Sequence, residues 1–396
     1  MADRSKSLVL APEAPFPVIG GGALRTASIL HYLAHRSDVD LVVFQQPGAV
    51  HPAERIPAGL IRRLHVINLP FHSKRGFARA ARNLKRLVSA TPPLIDRFAG
   101  FESKVAAFAG TEKYEIGVVE HFWCAPYQRV LAPSCRTTVL DLHNIESLWH
   151  ERCGAVEQPP VRLAFQRFAK ACRRLEREWL PRYSTVLTVS ENDAAAAAEL
   201  SPGANIAVYP NTIPWEAPPA KEKMHAVVFT GNIEYRPNRT ALDWFCREIW
   251  PQVREFAPHA EIWIAGMNAG EARTLLAGVP GLRIFSGYEN AVGLIASAKV
   301  AVVPIRAASG SRFKILEAWA AGVPVVSTTI GAEGLVAEHG RNIVIADDPE
   351  PFAQAVSRLL SDDELRTRMG AAGRSIFEAE YTWERGWTHL NRILTL

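Results

Sequence analysis

The sequence predicts an α/β protein of two doubly wound, Rossmann-like domains facing across a cleft. Three observations carry that expectation. A β-α rhythm starts near Leu8 and starts again near His225, a proline-rich break from Ile213 to Lys223 separates the two series, and strand ends in both halves run into glycine-rich loops. At 396 residues, 48% of them hydrophobic, the chain is too long for one ordinary domain and apolar enough to fill two cores. The expected boundaries are 1–212 for the first domain, 213–223 for the linker, 224–378 for the second domain and 379–396 for a closing helix.

Composition narrows the function classes. The net charge is +5, but the basic residues are dispersed and no zinc-finger or RNA-recognition pattern occurs, so nucleic acid is not an expected partner. The five cysteines (Cys124, Cys135, Cys153, Cys172 and Cys246) include no Cys-x-x-Cys pair and read as reduced thiols of a cytoplasmic protein. No stretch reaches the roughly 18 to 20 apolar residues of a membrane span, and the N-terminus has too short an apolar run for a signal peptide. A soluble or at most peripheral protein is expected.

In the first half, Leu8–Ala11 and Val39–Phe44 are strands flanking a helix, Ala23–His35, that follows Gly20, Gly21 and Gly22. The dinucleotide fingerprint fails because Arg25 stands where its third glycine belongs, which argues against a nicotinamide dehydrogenase. The glycines either let backbone approach a phosphate or sugar, or make a plain turn. After the strand Leu64–Leu69, residues 74–91 form a basic amphipathic helix. Phe77, Ala80, Ala81, Leu84, Leu87 and Val88 make its stripe, with Lys74, Arg75, Arg79, Arg82, Lys85 and Arg86 around it. Such a helix packs its stripe on its own domain or lies on an anionic membrane. The strand Glu115–Glu120 delivers His121 at its carboxyl end, where ligands of open α/β sheets bind. The next strand, Thr137–Leu142, carries His143, Asn144 and Glu146 into a loop. Asp141, His143 and His150 lack the compact ligand cluster of a metal centre, and no metal is expected.

In the second half, the strand around Val227–Thr230 ends in Gly231 and Asn232, with Arg236 just before the next helix. Tyr288 closes LRIFSGY as either a core or a stacking residue. The buried-looking strand Val300–Ile305 leads to Ser309-Gly310-Ser311 and a helix from about Arg312 to Ala321, stopped by Gly322 and Pro324. Free N–H groups and the positive dipole end of such a helix favour a diphosphate, and Arg312 and Lys314 add two charges. Glu317 lies three residues beyond Lys314 on the same side, where it can accept from ribose hydroxyls, while Phe313, Leu316 and Ala320 turn to the sheet. The alternative is a core helix whose Lys314 and Glu317 form a solvated pair worth ~0.3 to 0.5 kcal/mol. Asp347 and Asp348 read as a turn and a helix N-cap, and YTWERGWTHLNRIL as a final amphipathic helix anchored by Trp383 and Trp387.

LEAWAAGVPVVST, preceded by its small-residue loop, resembles the signature of the family 4 retaining glycosyltransferases, which have the GT-B fold. SGSRFKILEA resembles a subgroup with Arg-x-Lys after the loop, of the kind used in exopolysaccharide and glycan biosynthesis. The family has a carboxylate eight residues before Glu317; here that place is Ser309. The resemblance implies a nucleotide-diphosphate sugar donor as co-substrate, no other cofactor, metal independence and retention of configuration. It implies Gly21, Gly22, Gly231, Asn232, Arg236, Tyr288, Ser309, Gly310, Ser311 and Glu317 at the donor, and Arg312, Lys314 and His121 at the reacting bond. Arg25, His143 and Asn144 fall on the acceptor side, the acceptor being a glycan, a lipid-linked sugar or a small molecule. The family's Arg, with a Lys five residues later, is missing near Arg236, and the last helix is expected to cross back to the first domain. Two rival readings stay open: a nucleotide-sugar- or glycan-binding subunit without catalysis, and a GT-B epimerase.

Overall fold

The computed structural model describes residues 4–73, 76–286, 291–310 and 313–394. The chain forms two compact units, Met1–Pro210 with Trp387–Leu396, and Asn211–Gly386.

The first unit is a seven-stranded parallel sheet of β1 (Lys6–Ala11), β2 (Asp38–Gln45), β3 (Arg63–Asn68), β4 (Tyr114–Glu120), β5 (Cys135–Asp141), β6 (Thr185–Thr188) and β7 (Ile206–Val208), in the order β3-β2-β1-β4-β5-β6-β7. Its register sets Val9 of β1 beside Leu41 of β2 and Val118 of β4. These strands are apolar runs rather than alternating ones because helices cover the sheet, and Leu8, Leu10, Val42, Val119 and Leu140 are fully buried. The helices that matter below are α1 (Gly21–Ala34), α2 (Gly76–Ser89), α3 (Glu146–Ala155), α4 (Val161–Trp179) and α5 (Glu191–Leu200). The start of α5 is fixed by the Ser190 hydroxyl, which accepts from Asp193 N at 3.1 Å. Part of the C-terminal helix Trp383–Ile393 belongs to this unit: Trp387 Nε1 donates to Ser28 O at 3.2 Å, and Asn391 Oδ1 accepts from Tyr32 and Arg36.

Helix α2 departs from one of its two expected arrangements. The long side chains of its apolar stripe are largely unpacked: Phe77, Leu84 and Val88 are 88%, 63% and 71% exposed, with Leu87 half-buried. Arg86 is the buried residue instead, donating to Asp96 at 2.7 Å. Lys74 and Arg75 lie outside the described residues.

The second unit is a six-stranded parallel sheet of β8 (Met224–Thr230), β9 (Glu261–Ala265), β10 (Leu282–Phe285), β11 (Ala298–Val303), β12 (Val325–Ser327) and β13 (Val344–Ile345), in the order β10-β9-β8-β11-β12-β13. Its core gathers Val227, Phe229, Ile264, Val302 and Phe352 around the sheet. Residues of the proline-rich stretch are tied down here, since Ile213 bridges to Thr382 and Arg374 donates to Glu216 O at 2.7 Å.

After β8 comes α6 (Arg236–Trp244), and after β11 comes α7 (Phe313–Ala320), which buries Ile315, Leu316, Ala318 and Trp319 while Lys314 and Glu317 stay half-buried. Val323 N bonds Ala318 O at 2.9 Å and Gly322 N bonds Trp319 O at 3.0 Å, with Gly322 at φ 64. This is a Schellman stop, and its left-handed position accounts for the glycine. α8 (Pro349–Ser361) corrects one detail: Asp348 holds the N-cap position without a side-chain capping bond, and Asp347 instead accepts from Thr329 N at 2.8 Å. Among the described residues, no helix is long and apolar enough to cross a membrane.

Candidate functional site

Each sheet reverses its strand order once, between β1 and β4 in the first unit and between β8 and β11 in the second. Crevices outside the carboxyl ends of strands at such reversals are where open α/β sheets bind ligands.

In the second unit, that edge is made by Thr230, Gly231 and Asn232 after β8 and by the loop after β11. Lys314 reaches over it from α7. Its ammonium lies 5.0 Å from the Phe229 ring centroid, and a Cβ on Gly231 would sit 2.1 Å from Nζ. Gly231 also holds φ 136, which an L side chain rarely adopts. A glycine is therefore required twice over, for backbone and for cation. Gly231→Ala is expected to displace Lys314 and to cost more ligand affinity than stability, which paired nucleotide-binding and melting measurements will separate.

One turn along α7, Glu317 Oε2 accepts from Thr230 Oγ1 at 3.3 Å. Burial drives its carboxyl upward, and Lys314 and the Thr230 hydroxyl oppose that rise. The pair is thus held against the strand edge and is not the freely solvated ion pair of the alternative reading. Asn232 is spent locally: its Oδ1 accepts from Glu234 N at 3.0 Å and its carbonyl from Asn238 Nδ2 at 2.7 Å, an arrangement that leads into α6. Arg236 is exposed at the first residue of α6. Ser309 is buried, and Gly310 takes φ 79. Tyr288, Ser311 and Arg312 lie outside the described residues.

In the first unit, α1 begins at Gly21 with no side-chain cap and no acidic residue in its first turn. A Cβ on Gly22 would come 2.8 Å from Glu13 Oε1 and 3.5 Å from His121 Nε2, so both side chains face that glycine. His121 has φ 63, a strained conformation worth about 1–3 kcal/mol, and its N–H bonds Asp141 O at 2.9 Å. Its ring is stacked between Trp123, with centroids 4.1 Å apart, and His143, at 3.5 Å.

Behind His121 lies a buried ionic group that corrects the placement of one expected acceptor-side residue, Arg25. Arg25 is 1% exposed and forks onto Asp141, Nε to Oδ2 at 2.7 Å and Nη2 to Oδ1 at 2.6 Å, with Nη1 donating to Tyr209 O at 2.8 Å. It supports the strand ends and does not face an acceptor. His143 Nε2 sits 2.9 Å from Glu120 Oε2 and 3.3 Å from Asp141 Oδ2. Asn144 donates to Glu146 Oε1 at 3.3 Å.

The charges in this group are set by their neighbours. Burial lowers His143, but Asp141 and Glu120 outweigh it and raise the imidazole. Burial raises Asp141, but Arg25 and His143 outweigh it and hold that carboxyl well below the usual range. His121 is driven low by burial and by the His143 charge, so it is neutral, able to accept or donate a hydrogen bond. Glu120 rises through burial and the Asp141 charge.

Glu120, Asp141 and His143 place their ligand atoms within 4.8 Å of one another, a compact group that the sequence did not reveal. Its chemistry is that of a closed charge cluster: Arg25 already neutralises Asp141, and a dication would sit beside a guanidinium. Glu13, Glu120, Phe229 and Thr230 are the other residues missed. Glu13 and Glu120 stand next to strand ends, a position that marks candidates in this class of sheet. Nothing local distinguishes Phe229.

Comparison with known proteins follows the same division. Residues 225–362 match the family model described as "Glycosyl transferases group 1". A GDP-mannose-dependent monoacylated alpha-(1-6)-phosphatidylinositol monomannoside mannosyltransferase of Corynebacterium glutamicum is 31% identical over 156 residues, 36% of this chain and 41% of that protein. The lipopolysaccharide core biosynthesis glycosyltransferase LpsE of Rhizobium meliloti is 30% identical over 135 residues, 32% of this chain and 39% of LpsE. The chain thus aligns with about two fifths of the length of either relative.

Over the whole chain the likeness is one of fold. Sucrose-phosphate synthase from Thermosynechococcus elongatus superimposes with a TM-score of 0.70 at 15% identity, covering 98% of both chains. Anabaena HepE in complex with UDP and glucose superimposes with a TM-score of 0.69 at 15% identity, covering 98% of this chain and 99% of HepE. The chain has the GT-B fold, two parallel-sheet Rossmann-like domains.

Proposed function

We propose that this chain is a cytoplasmic glycosyltransferase that moves a sugar, with retention and without a metal, from a nucleotide-diphosphate donor to a glycan, lipid-linked or small-molecule acceptor. The observation that carries the reading is the Lys314 ammonium seated over bare Gly231 beside Glu317, at the strand reversal of the segment that matches the glycosyltransferase model. A diphosphate leaving group gathers negative charge as the glycosidic bond breaks, and a cation held in place beforehand stabilises that charge without reorganising. Lys314 and the start of α7 supply this stabilisation, and Glu317 accepts from the ribose. In the first unit, neutral His121 holds a sugar hydroxyl, and its orientation is fixed by the stacked Trp123 and His143 rings. Retention and family 4 membership rest on the likeness of residues 308–329 to that family's signature.

The test is a panel of UDP-, GDP- and ADP-sugars incubated with the full chain and candidate acceptors. Transfer to an acceptor with the anomeric configuration kept supports the proposal. Tight donor binding without turnover on any acceptor points to a non-catalytic subunit, a reading that Ser309 in place of a carboxylate keeps in play. A changed sugar without transfer points to an epimerase.

Peripheral membrane contact belongs to the same proposal. The outward apolar stripe of α2, with exposed Arg79 and Lys85 beside it, suits an anionic bilayer surface. Co-sedimentation with phosphatidylglycerol vesicles is expected to fall at least about tenfold in a Phe77→Glu, Leu84→Glu double variant, since two buried apolar side chains are worth about 1.5–3 kcal/mol each. Equal sedimentation of variant and parent removes this contact from the proposal.

A further inference from the structure

We propose that an apolar cavity in the first unit, lined by Leu94, Ile95, Trp149, Ala164, Phe165 and Phe168, receives the hydrocarbon chain of the acceptor. The inference rests on the transferase reading for the word acceptor, but not for the binding itself. The cavity has a volume of ≈ 240 Å³ and is walled almost wholly by carbon. A sugar chain there would leave its hydroxyls without partners, each at a cost, whereas an alkyl or isoprenoid chain needs none. An apolar cavity of this kind stays dry and takes apolar guests.

Three further observations bear on what enters. The polar end of the cavity is Glu146, whose Oε1 accepts from Trp123 Nε1 at 2.6 Å. The Trp123 ring stacks on His121, so the inner end of the cavity stands one aromatic ring away from the proposed sugar site. At the rim, Leu94 is 41% and Val161 38% exposed, and Arg167 on α4 donates to Val88 O on α2 at 2.9 Å. Helix α4, which lines the cavity, thus lies against the C-terminal end of α2. The His150 ring in its wall is neutral and does not repel a hydrocarbon. Burial brings His150 down to about 4, its buried Nδ1 has no partner, and burial pushes Glu146 up to about 7. A chain lying in the cavity would have its head group beside Trp123 and His121, and the acceptor class this favours is a lipid-linked or alkyl-bearing alcohol rather than a free glycan.

Calorimetric titration of the full chain with butyl, hexyl and octyl glucosides, each below its micelle concentration and without donor, tests this. Affinity is expected to rise about fourfold per added methylene. Ala164→Trp fills the cavity and is expected to flatten the series while leaving UDP and GDP binding unchanged. Leu94→Glu, at an exposed position that folding does not depend on, is expected to weaken octyl glucoside at least tenfold. Equal affinity for all three lengths in the parent overturns the proposal, as does an unchanged series in Leu94→Glu. Donor turnover is scored separately. A length-dependent series without turnover keeps the cavity and rejects the transferase, and turnover with a flat series does the reverse.

Discussion

Lys314→Ala is expected to lower kcat/KM for sugar transfer by about 10²- to 10³-fold, the usual loss when one preorganised group facing developing negative charge is removed. The size follows from the seat of the ammonium. It rests between the Phe229 ring and the bare Gly231 backbone, at a strand end where an anion would be partly shielded from water. The folded structure should tolerate the change, because Lys314 is half-buried and the core face of α7 is carried by Ile315, Leu316, Ala318 and Trp319. Lys314→Arg is expected to recover only part of the loss, since a planar guanidinium is too broad for the space a Cβ could not share. Steady-state kinetics on both variants, with circular dichroism to confirm folding, checks this. Activity within threefold of the parent in Lys314→Ala would remove the residue from the reaction.

The largest effect on stability is expected from Arg25→Ala, about 3–5 kcal/mol, because it strips a buried carboxylate of its bidentate partner. Asp141 is 0% exposed and would be left with His143 alone among the cations described beside it. The pH dependence has a defined sign. Asp141 is held below its ordinary value of 3.8 in the folded protein, so its stabilising contribution is present above that value and is lost as pH falls through the folded one. In Arg25→Ala that acid-side loss should shrink, because less of the depression remains. Thermal melts of parent and variant across the acid range measure both the offset and the slope. A variant as stable as its parent, with the same slope, would mean that the pair contributes nothing.

What could be read from sequence, and what could not, follows from the range of each signal. Parallel strands buried on both faces announce themselves as runs such as VAVVPI, and a helix between a small-residue loop and Gly322 announces both its ends. Lys314 and Glu317 were legible because helical spacing alone puts them on one side. Arg25 was misplaced because nothing within its own segment reports that Asp141 stands 116 residues away at the end of β5. The same limit hid Glu120, which is a strand residue until the fold sets it beside His143. The cavity combines residues near 92–95, 146–150 and 161–172, none of which is unusual in its own context. Helix α2 is the instructive middle case: its stripe was plain in the sequence, but which way the stripe faced required the fold.

The most direct measurement is a crystal structure of the protein soaked with UDP or GDP. The diphosphate is expected against the strand edge at Gly231 and the loop at Ser309 and Gly310, with a phosphate oxygen within hydrogen-bond distance of Lys314 Nζ and the ribose on Glu317. A nucleotide bound elsewhere, with the Lys314 ammonium still covering Gly231 and touching no phosphate, would contradict the account.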